Sequence, residues 1–376
     1  MLRRHFLQLS AGLLASPVLS AHAKTPANTT TNALYLSAHD DKAGQHYIAG
    51  FNQNGEKRFS LPVNQRGHGL AIHPTRPDLA VLIARRSGTE ATIFNPQTGD
   101  KYQVLQCPEK RHFFGHGCFS HDGKTFFTTE HHFDLGTGVI GIYDANTFQR
   151  LSEMPTYGID SHELCLMDDG KTLVIANGGI ETHPESGREK LNLDHMSPSL
   201  TYIDSQTGEL LEKQTLPHPS LSIRHLAINA QQVAIALQEE GEDSLPLVAL
   251  HQSRVTANGF AKQTDAHPMT FLPIPDEVLL QMKAYTASAV IAPNSQILGI
   301  TCPRGNFVAF WSLAEKQFLK TLPLTDTAGI TLSHDQQQFV VTTGIGEMVW
   351  IDALNLVEQQ RTQWENIRWD NHLSVV

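Results

Sequence analysis

A short pattern of strands and tight turns repeats along most of the chain, and this repetition limits the possible folds more than any other feature. Two apolar residues followed by a turn of the Asp/Asn-x-x-Thr/Asn-Gly type occur at residues 93–100 (IFNPQTGD) and 202–209 (YIDSQTGE). Upstream of such turns, a β-branched and aromatic run enters a tight turn and leaves as a second strand, as in residues 117–129 (GCFSHDGKTFFTT). Because Asp and Asn bond their own backbone in turns and glycine supplies a positive φ, each turn joins two strands. Together the two patterns predict units of four strands.

The number of units predicts a closed ring. Equivalent first strands begin near His68, His116, Glu163, Arg224, Ser288 and Ala328. These positions lie about 40 to 64 residues apart, and a four-stranded repeat of this size predicts a β-propeller blade. Residues 33–61 supply three more strands, and residues 369–376 (WDNHLSVV) parallel the start of the unit at His68. We therefore predict an all-β, seven-bladed propeller with YVTN/WD-like blades, in which the C-terminal strand completes the N-terminal blade. Only residues 276–284 are expected to be helical.

The N-terminal segment has the pattern of an export signal. Arg3 and Arg4 precede a short apolar run, and residues 21–23 (AHA) form an A-x-A cleavage pattern. The paired arginines followed by His-Phe-Leu are similar to a twin-arginine signal, and an ordinary Sec signal is the alternative. We expect a signal peptide over residues 1–23, cleaved near Ala23, a linker over residues 24–32, and one propeller domain over residues 33–376 in a bacterial periplasm. No later apolar stretch reaches the length of a membrane span.

Composition excludes several functional classes. Asp and Glu number 38 against 28 Lys and Arg, for a formal net charge of −10, whereas a nucleic-acid-binding surface needs a basic stripe. The four cysteines form no C-x-x-C pair, which excludes a zinc ribbon, a disulfide scaffold and covalent c-type haem. Cys107 and Cys302 could pair in an oxidising compartment, and Cys118 and Cys165 are expected to pack between blades. Motifs of α/β-hydrolases, P-loop proteins and H-E-x-x-H metalloproteases are absent.

The repeat gathers histidines on one face of the predicted ring. In a four-stranded blade, the beginning of the first strand and the end of the second lie on the same face, and first strands line the central channel. Because imidazole is the commonest protein metal ligand, a transition-metal site is one interpretation of this face. The candidate ligands are His68, His116, His162, Glu163, His225 and His372, with His131, His132, His183 and His195 completing or gating the site.

Two other interpretations of this face stay open. Guanidinium groups suit carboxylate or phosphate, so an anion or small-ligand site is one of them. The residues of that site would be Arg85, Arg86, Arg224, Arg304, Asn177, His183 and Arg188. Alternatively, the histidines only line a polar, water-filled channel. The insertion at residues 177–200 begins on the same face, so it is either a lid over the channel or a surface loop.

The sequence resembles a known family, domain of unknown function family 1513. The resemblance rests on the twin-arginine leader, the Gly-His-Gly motifs at residues 67–69 and 115–117, and the segment 177–200, and it covers most of the chain after residue 23. It implies a periplasmic seven-bladed propeller, encoded beside imelysin-like and haem-containing peroxidase-like proteins of iron uptake. His68, His116 and His183 fall within the matching motifs, and no catalytic residue is carried over.

These observations favour a binding or accessory protein over an enzyme. We expect a monomer that acts in the acquisition of iron or another transition metal, binds iron or copper at the histidine-rich face, and has imelysin-like or peroxidase-like partners. The alternative is a metal-dependent propeller enzyme, either a lactonase-like hydrolase or an oxidoreductase. The fold by itself transfers neither activity to this chain.

Overall fold

Seven four-stranded antiparallel blades surround a central channel. The computed structural model describes residues 33–187, 189–261 and 268–376. The expected signal peptide (1–23), the linker (24–32) and Arg188 lie outside the described residues. In blades 2 to 7 the strands follow one another in chain order from the channel outward. This arrangement confirms the all-β, seven-bladed propeller that the repeats predict.

The first four blades have the following strands. Blade 1 contains β1 (Leu34–Asp40), β2 (His46–Asn52) and β3 (Lys57–Val63), and its innermost position is shared by β30 (Arg368–Trp369) and β31 (Ser374–Val375), which both pair with β1. Blade 2 contains β4 (Gly67–Ile72), β5 (Ala80–Ala84), β6 (Glu90–Phe94) and β7 (Lys101–Gln106). Blade 3 contains β8 (Arg111–Phe119), β9 (Thr125–His132), β10 (Thr137–Asp144) and β11 (Arg150–Pro155). Blade 4 contains β12 (Ser161–Leu166), β13 (Thr172–Asn177), β14 (Ser199–Asp204) and β15 (Leu210–Gln214).

The last three blades include the longest outer-edge insertion. Blade 5 contains β16 (Leu221–Asn229), β17 (Gln232–Glu239), β18 (Val248–Gln252) and β21 (Thr270–Phe271), with a small hairpin of β19 (Val255–Thr256) and β20 (Gly259–Phe260) between the last two. Blade 6 contains β22 (Ala289–Ala292), β23 (Ile297–Cys302), β24 (Phe307–Ser312) and β25 (Gln317–Pro323). Blade 7 contains β26 (Thr327–Leu332), β27 (Gln338–Thr343), β28 (Glu347–Asp352) and β29 (Glu358–Gln363). The helix α1 (Asp276–Met282) lies within the segment predicted to be helical.

The position of a strand within its blade explains its composition. The middle strands are covered by neighbouring blades on both faces, so β5 (AVLIA) is apolar and wholly buried. The outermost strand β29 (EQQRTQ) is polar and exposed along most of its length. Burying one large apolar side chain contributes about 1.5–3 kcal/mol. The hydrophobic core is therefore a ring of interfaces between blades, and it leaves the channel itself to polar side chains.

The C-terminal strands close the ring. Trp369 of β30 pairs antiparallel with His39, and Val375 of β31 pairs with Tyr35. Beyond β31, the backbone of Leu34 both donates to and accepts from Val376 at 2.9 Å. Residues from the two ends of the described propeller thus share blade 1, as the tail sequence predicted. This pairing covers an inner edge that would otherwise present free backbone groups.

The predicted insertion leaves β13 and returns to β14. It contains two short 3-10 turns, Pro184–Ser186 and Leu193–His195. All four cysteines carry free thiols. Cys118 packs beside the apolar residues of blades 3 and 4, and Cys165 packs beside those of blades 4 and 5. In the described ranges, no helix has the length and apolar character needed to cross a membrane.

Candidate functional site

Irregular pairing at the start of the first strands turns histidines into the channel. The register between β4 and β5 shifts between Gly67 and Leu70, so His68 lies within a bulge. The register between β12 and β13 shifts in the same way around His162. A bulge inserts an unpaired residue, which bends the strand and re-aims its side chain. Comparable shifts occur in β8, immediately before Gly117, and in β16, immediately before His225.

Two glycines allow neighbouring first strands to approach closely at this level. A Cβ atom on Gly69 would lie 2.5 Å from the carbonyl oxygen of Gly115 and 3.1 Å from Nδ1 of His116. Gly115 has a φ of +102°, and a Cβ atom there would lie 2.7 Å from the ring of His68. Glycine tolerates both the positive φ and the close approach. The Gly-His-Gly motifs therefore bring the imidazoles of His68 and His116 together.

Five imidazoles from five blades form one buried cluster, which we call the histidine cluster. Its members are His68, His116, His162, His225 and His372. Ring centroids are 4.4 Å apart for His68 and His372, 4.5 Å for His116 and His372, and 4.6 Å for His162 and His225. The sequence predicted that these five residues share a face, and the structure brings their rings into mutual contact.

Several sets of three donor atoms in this cluster are close enough to bind one ion. The candidate ligand atoms of His68, His116 and His162 all lie within 4.8 Å of one another, and so do those of His68, His225 and His372. Metal–nitrogen bonds of about 2.0–2.1 Å place ligand atoms up to roughly 4 Å apart. The observed separations approach that value, so small side-chain movements would suffice to complete a coordination shell.

The Nε2 atoms of the cluster lack ordinary partners. Those of His68, His116 and His372 are buried and have no hydrogen-bond partner within the described part of the chain. The remaining two, of His162 and His225, face each other at 3.2 Å. An unsatisfied buried polar atom costs about 1–3 kcal/mol. Three such atoms in one place indicate a site that a ligand would satisfy.

Two carboxylates contact the opposite, Nδ1 side of the rings. Oδ1 of Asp370 lies 2.5 Å from Nδ1 of His68. Oε2 of Glu163 lies 3.2 Å from Nδ1 of His225 and accepts the N–H of Leu226 at 2.9 Å. When Nδ1–H donates to a carboxylate, the lone pair of Nε2 is free for a metal ion. Sequence reasoning proposed Glu163 as a ligand and did not identify Asp370, although Asp370 lies two residues before His372.

Burial dominates the protonation of this region. It lowers the pKa of His116, His162, His225 and His372 well below the ordinary value of 6.5. Burial also raises the pKa of Glu163 to about 7. For Asp370, burial acts to raise the pKa, but His68, Arg85 and Arg66 outweigh it and hold the pKa far below its usual range. The imidazoles of His116, His162, His225 and His372 are therefore neutral at pH 7, the form that binds metals.

Above the cluster lies a cavity of about 410 Å³, which we call the upper chamber. His68, His162 and His225 contribute to its floor. Its charged wall residues are Arg85, Arg86, Lys190, Arg224, Arg304 and Glu240. The four arginines are among those that the sequence analysis grouped on this face, whereas Lys190 was not among the predicted site residues. Lys190 and Ile180 come from the insertion at residues 177–200, so this insertion forms part of the chamber wall.

Three of the four arginines of the upper chamber contact buried carboxylates. Asp160, which is fully buried, accepts from Arg86 at 2.9 Å and from Arg224 at 2.7 Å. Arg85 lies 3.7 Å from Asp370. Arg304 stacks over Tyr285 at 4.8 Å. The guanidinium groups are therefore held in position before any ligand binds.

A second cavity, of about 440 Å³, lies on the other side of the cluster and is called the lower chamber. His116, His225 and His372 line it, together with Glu163 and mostly apolar residues. The half-buried Cys118 and Cys165 also line it, two positions after His116 and Glu163 respectively. The histidine cluster therefore separates the cationic upper chamber from a lower chamber whose described lining contains no Lys or Arg.

The structure places the other proposed site residues away from the cluster. His131 is buried beside His112, with ring centroids 5.5 Å apart, and His132 follows it at the end of β9. The amide of Asn177 is engaged inside blade 4, where it accepts from Ser161 at 2.8 Å. His183 caps a 3-10 turn, and His195 is exposed next to Asp194. Arg188 lies outside the described residues.

Comparisons with known proteins identify the family. No curated protein matches the chain. Among solved structures, hydrazine synthase from Kuenenia stuttgartiensis superimposes with a TM-score of 0.61 at 13% sequence identity, over 81% of this chain and 91% of that chain. At this identity the likeness concerns the fold alone. The profile of the family described as "Protein of unknown function (DUF1513)" matches residues 61–376. The chain therefore belongs to the DUF1513 family.

Proposed function

We propose that this protein binds a transition-metal ion, iron or copper, at the histidine cluster and acts as a binding or accessory protein in metal acquisition. The observation that carries the proposal is the convergence of three buried Nε2 atoms, those of His68, His116 and His372, which have no hydrogen-bond partner among the described residues. Neutral imidazole suits iron, copper, nickel and zinc. His162 and His225 would complete the donor set, since their Nε2 atoms already approach each other.

The carboxylates would position ligands in this proposal. Asp370 orients His68, and Glu163 orients His225 and anchors the neighbouring backbone of Leu226. Such partners fix the tautomer and the ring orientation of a metal-binding histidine. Glu163 is thus proposed as a positioning residue as well as the ligand candidate identified from the sequence.

The cellular setting is also part of the proposal. The N-terminal residues resemble a twin-arginine leader, which supports periplasmic export. The resemblance to the family supports action beside imelysin-like and peroxidase-like proteins of iron uptake. We also propose that the protein is a monomer. Co-purification from a periplasmic fraction, followed by size-exclusion chromatography with light scattering, would test both the partners and the monomeric state.

Metal content provides the direct test. Untagged protein, isolated from cells grown with ample iron and copper, should contain close to one equivalent of one of these metals by elemental analysis. The His68→Ala/His116→Ala variant should contain less than about a tenth of that amount, because it loses two of the converging donors. His218→Ala/His334→Ala is the matched control, since both of those histidines are exposed.

The outcomes of this experiment are distinct. A wild-type protein that neither arrives with metal nor takes up Fe(II) or Cu(II) in equilibrium dialysis would refute the proposal. Equal metal retention by the cluster variant and the control variant would place the metal elsewhere. A cluster variant that loses metal but keeps a cooperative unfolding transition would show that the donors were lost without loss of the fold.

Removing the charge of Asp370 should weaken metal binding while leaving the ligands in place. In Asp370→Asn, the amide can donate to Nδ1 of His68, which moves the ring proton to Nε2 and blocks the metal-binding atom. We expect affinity for Cu(II) to fall about 10- to 100-fold, as for other partners of metal-bound histidine. Competition with a chromophoric chelator would measure the change.

Asp335→Asn is the control for this substitution, because Asp335 accepts from Ser333 in a partly buried turn of blade 7. Its metal affinity should equal that of the wild type. An Asp370→Asn protein with unchanged affinity would contradict the positioning role, whatever the metal content of the wild type.

The upper chamber favours one alternative, a metal-dependent enzyme. This cavity of about 410 Å³ lies next to the histidine cluster, so a small substrate could reach a bound metal from this side. Turnover of a lactone or a reducible substrate by the metal-loaded protein, lost in His68→Ala/His116→Ala, would favour the enzyme. Metal binding without turnover would favour the accessory protein.

A further inference from the structure

We infer that the upper chamber is a binding site for a small oligocarboxylate anion, which enters above the histidine cluster and points one carboxylate toward it. The inference deepens the proposed function, on which the metal-facing orientation of the anion rests. The anion site itself requires no bound metal, because the cationic side chains of the upper chamber form it. The metal proposal requires no such site, because the histidine cluster alone could bind an ion.

The charge of the chamber is the first observation. Among the described residues, its wall contains five cationic side chains and one carboxylate, that of Glu240, which is paired with Lys190. Two more carboxylates, Asp160 and Asp370, contact its arginines from behind. An excess of two positive charges therefore remains in a protein whose formal net charge is −10. Such a local reversal of sign attracts an anionic ligand into the cavity.

The geometry of the donors is the second observation. A guanidinium group presents a planar fork that matches the two oxygens of a carboxylate, and four of the five cations are arginines. The Nη1 atoms of Arg86 and Arg224 donate to the two carboxylate oxygens of Asp160, which holds these two guanidinium groups side by side. Because several cations surround the cavity, an anion with two or three separate charged groups fits better than a monovalent one.

A buried ring nitrogen at the floor of the chamber, without a hydrogen-bond partner among the described residues, is the third observation. His68, only 2% exposed, lines the upper chamber, and its Nε2 has no hydrogen-bond partner in the part of the chain that is described. Iron bound by histidines commonly takes a carboxylate oxygen as a further ligand. An oligocarboxylate held by the arginines would therefore present an oxygen on the same side as this nitrogen.

The dimensions of the chamber agree with this ligand class. A cavity of about 410 Å³ falls within the usual range of about 300–1,000 Å³ for small-molecule sites. Asn371 and Tyr285 also line it and are hydrogen-bonded to each other at 3.1 Å, so they offer neutral polar groups for hydroxyl substituents. A hydroxylated tricarboxylate satisfies both the charged and the neutral parts of this wall.

Calorimetric titration of the metal-free protein with citrate would test the site. We expect one citrate per chain, and affinity that falls as salt is raised from 50 to 300 mM because the attraction is electrostatic. In Arg85→Gln/Arg304→Gln, which removes two partly exposed wall cations, citrate should bind at least tenfold more weakly. Arg58→Gln/Arg76→Gln removes the same charge outside the chamber and should stay within twofold of the wild type.

Inorganic phosphate and glycerol distinguish the ligand class. Phosphate binding tenfold tighter than citrate would overturn the carboxylate assignment, and glycerol should not bind. Equal citrate affinity in the two double variants, or no citrate binding to metal-free and metal-loaded protein alike, would overturn the site. If Arg85→Gln/Arg304→Gln lacks a cooperative unfolding transition, Lys190→Gln replaces it with the same expected direction.

The two proposals can fail separately. Citrate binding by a protein that takes up no metal would support the anion site and refute the metal proposal. Metal binding without any citrate binding would support the metal proposal and refute the anion site. Tighter citrate binding to the metal-loaded protein than to the metal-free protein would support the proposed orientation toward the cluster, and equal binding would contradict it.

Discussion

Deleting residues 369–376 should abolish the folded monomer. The deletion removes the inner strand of blade 1 and leaves β1 (LYLSAHD), whose side chains are almost entirely buried, as an exposed apolar edge. Exposed edges of this kind pair with other chains. We expect aggregates or oligomers in size-exclusion chromatography and no cooperative unfolding transition in urea.

The deletion also removes the buried side chain of Trp369, so the destabilisation should exceed that from lost backbone hydrogen bonds alone. Its side chain is 3% exposed and contacts Phe51 at 5.2 Å and His39 at 5.6 Å between ring centroids. Truncating a buried Trp to Ala costs about 3–5 kcal/mol, which is a large part of a typical free energy of unfolding of about 5–15 kcal/mol. Trp369→Ala should therefore remain folded but lose stability by this amount.

Complementation provides the control for the deletion. A synthetic peptide of residues 367–376 should restore a monomer when it is added to the truncated chain, because it can pair with β1 again. A truncated chain that stays monomeric and unfolds as cooperatively as the wild type would contradict closure by the C-terminal strand. The deletion also removes Asp370 and His372, so it should eliminate metal binding.

Lowering the pH from 7.5 to 5.5 should strongly destabilise the metal-free protein. Burial lowers the pKa of the five clustered histidines in the folded state. Below pH 6.5 the unfolded chain therefore binds more protons than the folded one, and stability falls with pH. Each histidine that stays neutral contributes a loss of about 1.4 kcal/mol at pH 5.5.

Protonation of Glu163 stabilises the folded state as the pH falls, in contrast to the buried histidines. Burial raises its pKa to about 7, so between pH 7 and its ordinary value near 4.5 the folded state takes up a proton first. Proton uptake by Glu163 therefore offsets about 2 kcal/mol of the decrease in the free energy of unfolding at pH 5.5. If all five imidazoles stay neutral, the net decrease is on the order of 5 kcal/mol. Urea unfolding at the two pH values, in the presence of a chelator, would measure it.

The cluster variants isolate the origin of this pH dependence. His68→Ala/His116→Ala should reduce the difference between the two pH values by about 1–3 kcal/mol, since burial lowers the pKa of both imidazoles, and more strongly that of His116. The exposed pair in His218→Ala/His334→Ala should leave the difference unchanged. Stability that is equal at pH 7.5 and 5.5 would show that the buried imidazoles accept protons without cost.

The fold was largely predictable from local patterns. Turns such as residues 202–209 and runs such as β5 recur at blade spacing, and the tail at residues 369–376 matched the start of β4. The shared face of His68, His116, His162, His225 and His372 followed from the same register. These features depend on residues near one another in the chain, or on a repeat that can be counted.

The contacts within the site were not predictable in this way. Asp370 went unnoticed because its role depends on His68, 302 positions earlier in the chain. Lys190 reaches the upper chamber from an irregular insertion that has no equivalent in other blades. Asn177 was predicted to belong to a ligand site on the histidine-rich face, yet its side-chain amide is hydrogen-bonded inside blade 4.

Strand period and turn chemistry are local properties, so the amino-acid sequence was sufficient to predict the number of blades, their closure and the set of histidines on one face. The nitrogen of each ring that faces the centre, and the carboxylate that orients the ring, became known only from the folded arrangement. The structure also decided that the arginines gather in one chamber. Those outcomes depend on bulges and on ångström-scale packing between blades, which no spacing along the chain records.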